Sequence, residues 1–230
     1  MAGGCYTSNS LGPLAQSVEQ RTFNPWVVGS SPTGPTAFLS KSTNQPKIPL
    51  MPFPISTTRL SISPLELGDL EVFVGYRQDP QVSRFQSWDI DFSKEQALEL
   101  IQSQAGVEFP ALGDWLQLGI KEISTGKLLG DLALHALEQQ HRYEIGFTLD
   151  TAHQSKGFAK EAAAKLLEFL FNEKHALSVE ASTDRRNIAS INLLKSLGFT
   201  EVPSRSWDEE FKGETVTVDV FELHRTEVLN

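Results

Sequence analysis

The sequence predicts an α+β domain, a mixed α/β fold built on one sheet. Three observations carry this. Helical periodicity fills the front of the segment after residue 51, between 67 and 103. Three alternating runs separated by turn residues follow between 115 and 149, the pattern of an antiparallel meander. Strand and helix patterns then alternate to the end, and no internal repeat is present.

Each element has its own signal. Residues 58–64 alternate apolar and polar, which predicts a strand. A helix is expected over 67–78, with an acidic start and Asp79-Pro80 as its stop. Ser93 suits the N-cap of a helix over 94–103, with Glu95 and Gln96 in its first turn. Residues 115–123 and 128–137 predict two strands, joined at Ser124-Thr125-Gly126-Lys127, with Gly130 as a bulge. The turn Glu138-Gln139-Gln140-His141 leads into a third, 142–149. An amphipathic helix is expected over 157–173, where Ala163, Leu166, Leu167, Leu170 and Phe171 recur at helical spacing. On its polar side Glu161 and Lys165 form an i,i+4 pair. A short buried strand at 177–181 precedes a helix over 187–197, closed by Gly198 in the left-handed region. Strands over 199–202 and 215–223 complete the order.

Composition narrows the function. The chain has 230 residues, 40% hydrophobic and 21% charged, which suits one sizeable core. Its net charge of −9 argues against a nucleic-acid or anionic-membrane partner. No apolar run approaches the roughly 20 residues of a bilayer span. The single Cys5 excludes an internal disulfide and a cysteine metal site, and fits a reducing, cytoplasmic setting. The five histidines, His135, His141, His153, His175 and His224, lack metal-ligand spacing, so no metal is expected.

Residues 1–50 differ from the rest: rich in Ser, Thr, Pro and Gly, and without helical or strand period. They lack the basic start and apolar core of a secretory signal. Their codons can mimic a transfer-RNA gene. Leu14–Gln20 suits a D arm, Thr22-Phe23-Asn24-Pro25 an anticodon arm, and Gly29-Ser30-Ser31-Pro32 a T arm. The expectation is a non-domain leader, disordered or a mis-assigned start, with Met51 as the true start. Residues 51–230 then form one domain carrying 17 basic and 28 acidic residues.

The stretch His153-Gln154-Ser155-Lys156-Gly157-Phe158-Ala159-Lys160 opens the amphipathic helix. A helix N-terminus offers unpaired N–H groups and a positive dipole end, so it stabilises an anion. Gly157 lets a ligand approach the backbone, and Ala159 is nearly as small. Lys156 and Lys160 add charge, and no acid falls between Ala152 and Lys160. On its own the loop fits equally a plain helix start and a pyrophosphate cradle. It is neither a P-loop nor a dinucleotide fingerprint.

Context separates the two readings. The run Glu144-Ile145-Gly146-Phe147-Thr148-Leu149 precedes the loop, and Asn187-Ile188-Ala189-Ser190 with Leu197-Gly198-Phe199 follows it. In this order they resemble the GNAT superfamily of acetyl-CoA-dependent N-acetyltransferases. Thr58-Arg59-Leu60, Pro64-Leu65, Asp69, Arg77, Asp79-Pro80, Val82 and Trp88 are similar to the branch that acetylates ribosomal-protein N-termini. The resemblance implies a single, mostly antiparallel sheet with a splayed strand pair and helices on both faces. It implies that Gln154, Ser155, Lys156, Gly157, Phe158, Ala159 and Lys160 hold the CoA pyrophosphate. Ser155 departs from the glycine common in that branch. The pantetheine arm is expected along the backbone of Phe147, Thr148 and Leu149, with Asn187 also touching the cofactor.

For acetyl transfer an amine must lose a proton before attacking a thioester. Ser190 is the candidate acid for the leaving thiolate; Glu144 and Glu209 are candidate bases. Trp88, Trp207 and Asp208 are candidates for the acceptor site, and Glu210 and Phe211 lie beside them. The alternatives are structural: Asn187 as a helix cap, the tryptophans as packing, and 208–210 as a solvated turn. The expected acceptor is a peptide N-terminus or small-molecule amine, on a monomer or homodimer. A non-catalytic acyl-CoA-binding module is the alternative function.

Overall fold

The computed structural model describes residues 52–225. The proposed leader and its boundary at Met51 lie outside the described residues. Nine strands form one sheet: β1 (Ile55–Ser56), β2 (Leu60–Pro64), β3 (Trp115–Glu122), β4 (Leu128–Ala136), β5 (Arg142–Leu149), β6 (Ser178–Asp184), β7 (Thr200–Glu201), β8 (Trp207–Phe211) and β9 (Glu214–His224). The spatial order is β1-β2-β3-β4-β5-β6-β9-β7, with β8 also paired to β9. Among the described residues only β5 and β6 run parallel; every other pair is antiparallel. The α-helices among the described residues are α1 (Leu70–Arg77), α2 (Pro80–Ser83), α3 (Lys94–Ser103), α4 (Phe158–Asn172) and α5 (Ile188–Ser196).

Strand alternation builds two cores. Leu60, Ile62, Leu116, Leu118, Ile120, Leu132, Leu134 and Ile145 point to one face, where Ala163, Leu166 and Leu170 of α4 and Leu194 of α5 cover them. On the opposite face Phe73, Tyr76, Ala97 and Ile101 of α1 and α3 pack with Leu65, Phe92 and Leu128. That second face also buries a polar cluster. Asp131, 1% exposed, accepts from Tyr76 Oη at 3.1 Å and Gln117 Nε2 at 2.8 Å, and pairs with Arg77 at 3.4 Å. Burial pushes the Asp131 carboxyl up, against the pull of Arg77. The Arg77 guanidinium is walled by the rings of Phe73, Trp88 and Phe92 at 4.2, 3.7 and 5.0 Å.

Several expected features hold. The register of β3 and β4 slips between Ile120 and Lys121, next to Gly130. A Cβ on Gly130 would lie 2.1 Å from the Thr148 carbonyl, so only glycine fits. Ser93 and Gln96 form a reciprocal capping box at α3. Gly198 sits at φ 92°, and Phe199 N–H bonds Leu194 O while Gly198 N–H bonds Lys195 O. That pair of bonds is a Schellman closure of α5.

Others differ. The helix expected over 67–78 begins as a 3-10 turn, Leu67–Asp69, before α1. Asp79-Pro80 stops α1 as expected, but Asp79 then caps a new short helix, its side chain accepting from Gln81 N–H. β6 runs on to Asp184, and 208–210 is strand β8 rather than a turn. The Glu161–Lys165 pair is replaced: Glu161 bonds Arg59 and Thr57, and Lys165 bonds Glu168.

Candidate active site

The parallel pairing of β5 with β6 is short. It covers Arg142–Ser178, Tyr143–Val179 and Glu144–Glu180, then stops, although both strands continue. Beyond Glu144 the two strands diverge. On its other edge β5 stays paired with β4 as far as Leu149. Asp150 N–H bonds Leu129 O, and Leu137 N–H bonds Arg142 O. Antiparallel alternation therefore turns the backbone of 144, 146 and 148 toward β4, and that of 145, 147 and 149 toward β6. Phe147 and Leu149 thus present backbone groups into the divergence. Thr148 does not: its backbone is taken by β4, and this corrects its expected place along the pantetheine arm.

The loop lies just past the divergence. Asp150 caps a 3-10 turn, Thr151–His153, by accepting from Ala152 N–H. Gln154 Nε2 donates to Leu149 O at 3.1 Å and closes the loop. Ser155 and Gly157 both sit at positive φ, 59° and 80°. Alternating handedness of this kind folds N–H groups into an anion-binding concavity. Gly157 is the N-cap of α4, and Glu161 N–H is the first to bond back, to Gly157 O. Among the described residues, the N–H groups of Gly157, Phe158, Ala159 and Lys160 donate to no protein acceptor. Lys156 Nζ bonds Ala152 O and stiffens the turn.

One residue at this site stood out in the sequence only as part of the run Thr58-Arg59-Leu60, with no site role. Arg59 donates to Lys156 O at 3.3 Å, pairs with Glu161 and lies 4.4 Å over the Phe158 ring. Burial raises the Glu161 carboxyl, but the bonds from Thr57 and Arg59 outweigh it and hold it below the usual range. The contact spans about a hundred residues of chain, so no local pattern reveals it.

Asn187 does cap α5: its side chain accepts from Ser190 N–H at 3.2 Å. Ser190 is half-buried in the first turn of α5. Glu144 faces the α1–α3 side of the sheet, beside the end of the parallel pairing. Ser182 Oγ donates to its Oε1 at 3.1 Å, bridging the widening gap from β6. His135, its register partner on β4, lies with Nδ1 3.3 Å from Oε2.

The remaining candidates separate. On β8, Trp207 pairs with Val218 and Glu209 with Val216. Alternation puts Trp207 and Glu209 on the same sheet face as Ser182 and Glu144, with Trp207 Nε1 donating to Glu209 at 2.9 Å. Asp208 points to the opposite face, where Thr217 Oγ1 donates to it. This corrects its grouping with Trp207 at the acceptor mouth. Trp88 is held by its ring face over Arg77 and by an indole N–H bond to Arg77 O, so its contacts are those of packing. Among the described residues no group of His, Cys, Asp or Glu is arranged to hold a metal ion, and no helix is long and apolar enough to cross a membrane.

A single sheet with one short parallel pair, opening onto a glycine-capped helix, is the frame of an acetyl-CoA-dependent acyltransferase. The chain belongs to that family: the family model described as "Acetyltransferase (GNAT) domain" matches residues 59–200. The uncharacterized N-acetyltransferase p20 of Bacillus licheniformis is 30% identical over 172 residues, covering 74% of this chain and 96% of that protein. The uncharacterized N-acetyltransferase YoaA of Bacillus subtilis is 32% identical over 149 residues, covering 64% and 83%. Among solved structures, a GNAT-family acetyltransferase from Bacillus anthracis shares the fold with a TM-score of 0.67 at 21% identity, covering 75% of this chain and 99% of that one. Spermidine N-acetyltransferase from Vibrio cholerae, solved with CoA and spermine, has a TM-score of 0.65 at 19% identity, covering 76% and 100%. The protein is an N-acetyltransferase that uses acetyl-CoA as co-substrate and an amine as acceptor.

Proposed function

We propose that the acceptor is a primary amine, a peptide N-terminus or a small-molecule amine, acetylated by direct attack with both substrates bound. The observation that carries this reading is the end of β5–β6 pairing at Glu144–Glu180, on the strand that leads into the unpaired N–H groups of Gly157, Phe158, Ala159 and Lys160. Gly157, Phe158, Ala159 and Lys160 bind the pyrophosphate through those N–H groups, with Lys156 and Lys160 adding charge. Gln154 holds the loop closed, and Ser155 shapes it. The backbones of Phe147 and Leu149 align the pantetheine arm, and Asn187 sits at the head of α5 beside it.

Glu144 removes the ammonium proton through a water, leaving a neutral nitrogen. The Phe147 N–H donates to the thioester oxygen as negative charge develops there. Ser190 supplies a proton to the departing thiolate and regains one from the nitrogen, which sheds its second proton as the amide forms. One proton is released overall, and it leaves by way of Glu144. Trp207 and Glu209 share the sheet face of Glu144 and border the acceptor. The excess of acidic residues in 51–230, 28 against 17, favours a cationic amine, and the single Cys5 fits a cytoplasmic, reducing setting.

The test is release of free thiol from acetyl-CoA across a panel of peptides with free N-termini, polyamines and aminoglycosides. The expected result is amine-dependent thiol release. Tight acetyl-CoA binding with no release on any amine would instead favour a non-catalytic acyl-CoA-binding module.

A further inference from the structure

His135 stands behind Glu144, and its surroundings specify more than a packing role. Its two ring nitrogens face two oxygens: Nε2 lies 3.3 Å from the Gly113 carbonyl, and Nδ1 lies 3.3 Å from Glu144 Oε2. A backbone carbonyl only accepts, so the bond at Nε2 requires an N–H there. A neutral imidazole then has a lone pair at Nδ1, facing a carboxylate that also only accepts. The two contacts are compatible only when one proton lies between Nδ1 and Oε2.

We infer that His135 and Glu144 act as one proton-sharing unit, in which His135 positions the Glu144 carboxylate and carries its proton on to water. The inference rests on the reading of Glu144 as the base. Trp115 stacks on the imidazole at 4.3 Å with 14° between the planes and fixes the orientation of the ring toward Glu144. Of the other charged groups on this face, Glu209 accepts only from the neutral Trp207 indole, whereas the following are paired with cations. Glu180, opposite Glu144 in the register, pairs with Arg205 at 2.7 Å. Glu222 lies within 3.9 Å of both Arg142 and Arg205, and 3.5 Å from His224. On β6, Ser182 contributes a neutral hydroxyl to Oε1.

The balance is simple. The unit starts with one proton at Nδ1···Oε2. Glu144 takes a second from the acceptor ammonium, through water on its Oε1 side. The amine's lone pair then forms the new C–N bond as the C–S bond breaks, and the nitrogen's second proton goes by way of Ser190 to the departing thiolate. The half-buried imidazole passes the surplus proton to solvent, and the unit returns to one.

Two measurements on the full chain test this. First, kcat for thiol release is compared in wild type, His135→Ala, Glu144→Gln and the double variant, with and without added imidazole. His135→Ala is expected to lower kcat by about tenfold or more, with unchanged acetyl-CoA affinity and partial rescue by imidazole. The double variant should fall no further than Glu144→Gln. Wild-type kcat in Glu144→Gln defeats the base reading itself. A loss in Glu144→Gln with wild-type kcat in His135→Ala leaves the base and overturns the shared unit. A loss in His135→Ala that imidazole does not restore counts as structural and also overturns it. Second, 15N shifts of His135 in the wild-type protein at neutral pH are expected to show a protonated Nε2. A neutral ring protonated at Nδ1 alone would overturn the inference without any variant.

Discussion

Glycines at two positions do work no other residue can. Gly130 lies where β4 crosses the Thr148 carbonyl, and an added Cβ would meet that oxygen at 2.1 Å. Gly130→Ala must push β4 away from β5, at a cost of about 1–3 kcal/mol. Thermal denaturation should show a lowered Tm together with weaker acetyl-CoA binding, because β5 carries the Phe147 and Leu149 backbone. Gly157 is different: the space around its missing Cβ is open apart from Arg59 Nη2 at 3.7 Å, so its requirement is the positive φ and the ligand. Ser155 shows why glycine is common at its position in similar loops: it too is left-handed, at φ 59°, a conformation that costs an L-residue about 1 kcal/mol. The sequence showed the departure at Ser155, but not the dihedral that explains it.

Helices α3, α4 and α5 and the β3–β4–β5 meander were legible because each carries a local signal: a capping box, a 3.6-residue apolar period, a Schellman glycine, strict alternation. β8 was not. Three of its five residues are acidic, Trp207-Asp208-Glu209-Glu210-Phe211, and it is a strand because Lys212 and Gly213 both take positive φ and fold it back on β9. That turn type needs left-handed residues, and lysine does not announce one. Helix α2, four residues long, lacks a full apolar period. The junction of β6, β8 and β9 supplies a pH prediction. The Arg185 hydrogen bonds hold the Asp219 carboxyl below its ordinary range. Its folded pKa is depressed, so its stabilisation is present above the unfolded value of about 3.9 and is lost as pH falls through the folded one. Asp219→Asn should therefore flatten the acid limb of Tm against pH below about pH 4, and an unchanged limb would count against this pair.

At the scale of the molecule, strand order explains why one loop becomes a site. The single parallel pair sits inside the sheet, flanked by β4 and β9, so its divergence opens a slot floored by α4 and α5 and faced by α1–α3. The sequence located the loop and the strand before it. It could not show which backbone groups of β5 face the slot, because that depends on the register with β4. Nor could it show the Arg59 and His135 contacts, which join distant segments. The acceptor side was the least legible, since Trp207, Glu209 and Asp208 divide between faces by an alternation visible only once β8 is known to be a strand.

We propose, above all, that the N-terminus of α4 holds acetyl-CoA. Calorimetric titration of acetyl-CoA into wild-type protein and Gly157→Glu tests it most directly. The substitution puts bulk, a negative charge and a strained φ at the cradle, while its surroundings leave room for the fold itself. Wild type should show saturable binding, and a folded Gly157→Glu none. Equal affinity in the two proteins would contradict it.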